Sequence, residues 1–218
     1  MQVPRFPGDF FLNGVLWTDE LIVGSDGSFN VHNEHHYAEE NPHCLTIGHI
    51  QGRWTICVWT GIIHHQIIGP YFFEQNVNGE TYSAFLQNSL DDLLANVPLA
   101  VRQDMWFQQD GHPAHTSRLA RAVLNEKYPN RWIGLRGPLQ EWSPRSPDLA
   151  ECDFYLWGML KGKIFPPRPQ NPEELKQKIR DAFASIEPIE LERVHQNLRR
   201  RIGFCIRENG GHFEHLDE

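Results

Sequence analysis

Two apolar runs separated by a pair of histidines constrain this chain most. Trp54-Thr55-Ile56-Cys57-Val58-Trp59-Thr60-Gly61-Ile62-Ile63 and Gln66-Ile67-Ile68-Gly69-Pro70-Tyr71-Phe72-Phe73 are rich in β-branched and aromatic residues, the composition of strands. The short break His64-His65 suits a hairpin turn between them. The period then changes. Tyr82, Phe85, Leu86, Leu90, Leu93 and Leu94 recur at three- and four-residue steps, one face of a helix. Asn78 or Gly79 opens that helix and Asn96-Val97-Pro98 ends it.

The rest of the chain continues the mixture. Gly14 to Asp19 is a short apolar run ending in an acid, and Met105 to Asp110 is another. Thr116 to Tyr128 is helical by pattern, with Leu119, Val123 and Leu124 inward, and Trp132 to Leu135 is a brief strand. A proline-rich turn, Trp142 to Asp148, leads into a helix from Asp153 to Ile164. Asn171 caps the next helix, with Pro172 in its first turn, and a last helix runs from about Glu190 to Arg207. This order describes one α/β domain with a mixed sheet. Seven Trp and 13 Phe in 218 residues supply the core, and Trp17, Trp54, Trp59, Trp106, Trp132 and Trp157 are expected in it. No apolar run reaches membrane-spanning length, the N-terminus lacks a signal peptide's apolar stretch, and Cys44, Cys57, Cys152 and Cys205 fit free thiols.

Charge is unevenly spread. Residues 1–110 hold 3 Lys or Arg against 13 Asp or Glu, while residues 111–218 hold 17 against 15. An acidic first half is a poor grip on phosphate, which needs Lys and Arg. It is a reasonable place for carboxylates that hold a divalent cation.

Asp19 and Asp110 close short strands, and Asp153 opens a helix. Taken singly, each reads as a turn residue or a cap. Together, three convergent carboxylates repel one another unless a cation lies between them. Mg²⁺ takes one or two carboxylates plus waters and phosphate oxygens, and an ion pair ~3.5–4 Å apart serves phosphodiester cleavage.

The segments VLWTDE around Asp19, FQQDGHPAHTS around Asp110 and WSPRSPDLAECDFYLWG around Asp153 resemble the catalytic domain of mariner-superfamily transposases. NVHNEHHYAEENPH and TICVWTGIIHHQIIGPYFF resemble the same family. The resemblance covers most of residues 11–165. It implies an RNase H-like mixed central sheet flanked by helices, of the retroviral-integrase-like group, with residues 1–10 as an N-terminal extension and 166–218 as extra C-terminal helices. It also implies that Asp19, Asp110 and Asp153 are catalytic and bind two Mg²⁺ or Mn²⁺ ions, with Asp19 shared. The implied reaction is hydrolysis at transposon ends followed by strand transfer into target DNA. Duplex DNA is the implied partner, a homodimer the implied assembly and the nucleus the implied location.

The chain departs from that pattern in places. The 42 residues between Asp110 and Asp153 are several more than in the best-known members, and the excess fits around Arg131 to Glu141. Glu151 stands where relatives usually have Pro, which puts a further acid beside the expected metal site. Nothing in the chain reads as the helix-turn-helix modules that recognise transposon ends. The chain therefore reads as a catalytic domain cut from a longer protein or as a truncated gene product. A derivative that keeps the fold as a binding protein is the alternative, and a nuclease cutting RNA in hybrids is a third reading.

His115 is a candidate for DNA phosphate or for the supporting layer behind the carboxylates, and Arg145 for DNA phosphate. His112 and His115 lack the further ligands a zinc site needs. Gly158 to Lys163 has the wrong spacing for a phosphate loop. Arg199-Arg200-Arg201 reads as a solvated face.

Overall fold

The computed structural model describes residues 8–30, 54–139, 141–142, 146–165 and 167–213. A short helix α1 (Gly8–Asn13) leads into the central strand β1 (Val15–Gly24), with β2 (Phe29–Asn30) folded back on its end. The expected hairpin is β3 (Thr55–Ile63) and β4 (Gln66–Phe73), turning at His64, whose φ is +52°. After α2 (Gly79–Asn88), α3 (Leu90–Leu93) and α4 (Leu99–Asp104) come β5 (Trp106–Gln108), α5 (Arg118–Lys127) and β6 (Trp132–Ile133). A 3₁₀ turn (Pro147–Leu149), a π-turn (Cys152–Leu156), α6 (Trp157–Ile164), α7 (Pro172–Ala184) and α8 (Pro188–Arg207) complete the chain. No described helix is long and apolar enough to cross a membrane.

The sheet runs β4-β3-β1-β5-β6. β1 pairs antiparallel with β3 and parallel with β5, and β5 pairs parallel with β6. Helices cover both faces. Tyr82, Phe85 and Leu86 of α2 with Ala120 and Leu124 of α5 pack on Leu16, Trp59 and Phe107. On the other face Leu156, Leu160, Leu175 and Ile179 pack on Leu21, Val23, Val58 and Ile62. Leu198 of α8 closes over Val15 and Trp17. A central strand covered on both sides is buried almost throughout, so β1 alternates sides along an apolar run. Gly61 allows the close approach of β3 to β1, since a Cβ there would lie 2.8 Å from Leu16 Cδ1.

Local signals are realised in detail. The Asn78 side chain accepts from the Glu80 and Thr81 amides while Thr81 answers the Asn78 amide, and Asn171 caps α7 through Glu174 N. Other expectations need correction. The helix expected through Leu94 breaks at Ser89 (φ −115°), which brings both Leu90 and Leu94 into the core. Leu119 is 47% exposed; with Ser117 capping α5, it is Ala120, Val123 and Leu124 that face the sheet. Trp54 and Trp106 are only partly buried. The Arg triplet is not simply solvated. Arg199 donates to Asn13 Oδ1 at 3.0 Å, and Arg201 donates to the Asp148 carbonyl and lies over the Phe154 ring, tying α8 to α1 and to the approach to Asp153. Cys57, Cys152 and Cys205 are free thiols, whereas Cys44 lies outside the described residues.

Candidate active site

The parallel strand β5 stops at Gln108, opposite Trp17, while β1 continues for seven more residues paired with β3. Asp19 is therefore mid-strand rather than at a strand end, because Leu21, Ile22 and Val23 extend β1 along β3. It stands beyond the end of β5, where a cleft opens at the carboxyl ends of the parallel strands. Asp19, Asp110 and Asp153 line that cleft together with Thr18, Gln108, Trp142, Ser146, Pro147 and Ala150. All three carboxylates are half-buried.

Side chains stitch the strands where backbone pairing ends. Thr18 Oγ1 donates to the Gln108 carbonyl at 2.7 Å, and the Thr18 amide donates to Gln108 Oε1 at 3.2 Å. The long loop before Asp153 is closed at its base, where Gly134 bridges Glu141 and the Trp142 amide bonds the Gly134 carbonyl. Trp142 then packs edge-on against Trp17, 5.5 Å between centroids, as one wall of the cleft.

Asp153 lies in the π-turn, whose widened ring is closed by the Trp157 amide donating to the Cys152 carbonyl. Trp157 Nε1 donates to Asp19 Oδ2 at 2.7 Å. Burial, then the charges of Asp153, Glu20 and Asp110, push the Asp19 carboxyl well above the usual carboxylate range. Burial and the Asp110 charge raise Asp153 to about 7, against the opposing bond from Asp19.

Asp110 has the reverse setting. Burial alone would raise it, but His115 and the His112 amide hold it down at about 2. His115 Nδ1 lies 2.5 Å from Asp110 Oδ1, and the His112 amide donates to the same oxygen at 2.9 Å. The other ring nitrogen, Nε2, lies 3.1 Å from Glu20 Oε2 and 3.2 Å from Oε1. Against burial, Glu20 and Asp110 raise His115 to about 10, so the ring is a cation at neutral pH. Tyr82 stacks on it, 4.2 Å between centroids, and donates to Gln109 Oε1.

The expected triad thus comes together with His115 beside it, while Arg145 lies outside the described residues. Glu151 does not join the carboxylates. It is fully buried and accepts from His195 Nδ1 of α8 at 2.8 Å, because an acid inside the fold needs a partner. Gly158 to Lys163 lies within α6 and forms no phosphate loop. Glu20 and Trp157 are the site neighbours that sequence reasoning passed over. Glu20 had a visible signal, two adjacent acids inside an otherwise apolar strand; for the Trp157 bond there was none.

The donor set suits hard divalent ions: half-buried carboxylate oxygens facing one another, with no cation beside Asp19 and Asp153 among the described residues. Those residues contain no group of three His, Cys, Asp or Glu arranged to hold a single ion. Mg²⁺ does not require one, since two carboxylates plus waters and substrate oxygens complete its shell.

No family model matches the sequence, and no curated protein matches it. Solved structures do. The catalytic domain of Mos1 transposase with Raltegravir and Mg aligns with a TM-score of 0.69 at 21% identity, over 96% of this chain and 90% of that one. The crystal structure of the catalytic domain of Mos1 mariner transposase aligns with a TM-score of 0.68 at 21% identity, over 96% and 88%. The Mos1 transposase paired-end complex with left transposon end gives 0.70 at 21% identity, and there the chain spans 59% of the transposase. The chain therefore has the RNase H-like fold of the Mos1 mariner transposase catalytic domain.

Proposed function

We propose that this chain is a divalent-metal-dependent polynucleotidyl transferase domain of the mariner transposase kind, acting on duplex DNA. Residues 11–165 form its catalytic core and 166–218 a helical extension of that core. The observation that carries this reading is the meeting of Asp19, Asp110 and Asp153, from three distant parts of the chain, in one cleft at the end of β5. The Mos1 neighbours solved with Mg, with Mn and with a transposon end support it.

In this reading Asp19, Asp110 and Asp153 would together hold the divalent ions. The chemistry such a group would supply there is Lewis-acid charge for the attacking hydroxyl and the leaving oxygen. The protein's part is orientation. β1 fixes Asp19, His115 and the His112 amide hold Oδ1 of Asp110, and the π-turn presents Asp153. With its carboxyl raised to about 7, Asp153 gives up a proton when it becomes a ligand. Transposon ends and target DNA are the proposed substrates, a homodimer the proposed assembly and the nucleus the proposed location.

One observation favours the second reading, a derivative that keeps the fold without the chemistry: the Trp157 indole already occupies an oxygen of Asp19. Nicking of supercoiled plasmid separates the two. The transferase reading expects nicks in Mn²⁺ or Mg²⁺ that vanish with chelator and in Asp153→Asn. A folded wild type that binds duplex but never cuts it supports the derivative, and preferential cutting of an RNA–DNA hybrid supports neither.

A further inference from the structure

We infer that Glu20 is a positioning residue of the proposed metal centre: acting through His115, it fixes the Asp110 carboxylate and so sets the affinity of the ion that Asp110 holds. The inference rests on the metal-dependent reading of the cleft.

Adjacent residues of a strand point to opposite faces. Asp19 meets Trp157 on the α6 side, and Glu20 meets His115 on the α5 side. One strand thus serves the cleft twice, once with a carboxylate in it and once from behind. Glu20 is 9% exposed and His115 1%. A carboxylate so buried needs a charge-bearing partner, and among the described residues the His115 imidazole is the one it meets.

Each ring nitrogen faces a carboxylate oxygen, Nδ1 that of Asp110 and Nε2 those of Glu20, so the ring is held from both ends and Glu20 sets the angle at which it meets Asp110. Rotation is blocked as well. Tyr82 covers the ring face, and Gln109, which accepts from Tyr82, donates to the His115 carbonyl at 3.2 Å. His115 Nδ1 and the His112 amide both bind Oδ1 of Asp110, which leaves Oδ2 as the oxygen for an ion. Residues that orient a ligand in this way typically change metal affinity ~10–100-fold when removed.

Calorimetric Mn²⁺ titration of the full chain at pH 7 tests this with three variants. Asp110→Ala should lose the affinity; if it does not, the metal-centre reading fails and takes this inference with it. Glu20→Asp keeps the charge but loses the reach, so it separates positioning from a simple field effect. It should weaken Mn²⁺ binding ~10-fold or more, while Glu20→Gln, which keeps an acceptor in reach of Nε2, should lose less. Wild-type affinity in Glu20→Asp, beside a dead Asp110→Ala, overturns the inference alone. A crystal structure of Glu20→Asp gives a second readout: a His115 ring and an Asp110 carboxylate turned from their wild-type positions support the chain of contacts, and both left in place overturn it.

Discussion

On one side of the cleft Asp110 carries a cation of its own; on the other, Asp19 and Asp153 face each other without one among the described residues. The same residue type is held at about 2 in the first setting and raised to about 7 at Asp153 in the second. Burial acts upward on both, so the difference comes from what the neighbours supply. His115 completes the Asp110 side within the protein, whereas the Asp19–Asp153 side gains most from a charge brought in from outside. Among the described residues such a cleft is ordered on one flank and short of positive charge on the other.

Exchanging one carboxylate at a time should separate the flanks. Asp153→Asn should remove metal-dependent nicking by ~10²–10³-fold or more, the scale of losing a group that stabilises transition-state charge. The metal-free variant should nonetheless melt no lower than wild type, because a repulsion has gone. Asp110→Asn should be as inactive but less stable, by about 1–3 kcal/mol, because a neutral amide replaces one of the two carboxylates facing a buried, positively charged ring. Denaturant unfolding of both variants checks this, and a loss of stability in Asp153→Asn breaks the contrast. Trp157→Phe removes the indole donor from Asp19 at a cost of about 1 kcal/mol. It should tighten Mn²⁺ binding slightly by freeing Oδ2, as calorimetry would read.

The smallest expected effect is in pH. Asp153 is raised in the folded state, so the fold binds more protons than the unfolded chain between the ordinary carboxylate range and about 7. His115, raised to about 10, extends that excess above its ordinary value of 6.5. Both make metal-free stability fall as pH rises from 6 to 8. Asp110 has the opposite sign, but its window lies below its ordinary 3.8 and does not reach this range. The Tm should therefore decline by a few degrees between pH 6 and 8, roughly the scale of 1 kcal/mol in a chain of this size. Added Mg²⁺ should flatten the decline by replacing the protons on Asp153. A melting curve insensitive to both removes the second flank from the explanation.

What the sequence made legible follows the range of each interaction. The hairpin at His64-His65, the Asn78 cap, the Asn171-Pro172 start and the period of α2 depend on residues within one or two turns, and each is present. The apolar run puts Asp19 at a strand end, whereas strand length is decided by the partner. β3 keeps pairing to Gly24 while β5 has stopped. Leu119 was turned inward because the period alone does not set its phase; the Ser117 cap does. Glu151 read as a neighbour of the metal site because its partner, His195, is 44 residues away. Glu20 lies 95 residues from His115, and spacing cannot show a contact that the whole sheet brings about. The three carboxylates and His115 are legible through the motifs around them, and Glu20 and the Trp157 indole that tune them are not.

Anomalous diffraction from crystals of the full chain soaked in Mn²⁺, with and without a short duplex, tests the central claim most directly. Metal peaks between Asp19 and Asp110 and between Asp19 and Asp153 are expected, with Oδ2 rather than Oδ1 of Asp110 as the ligand. Peaks confined to other acids, or an empty cleft with duplex bound beside it, would contradict the claim that these carboxylates form a metal-dependent active site.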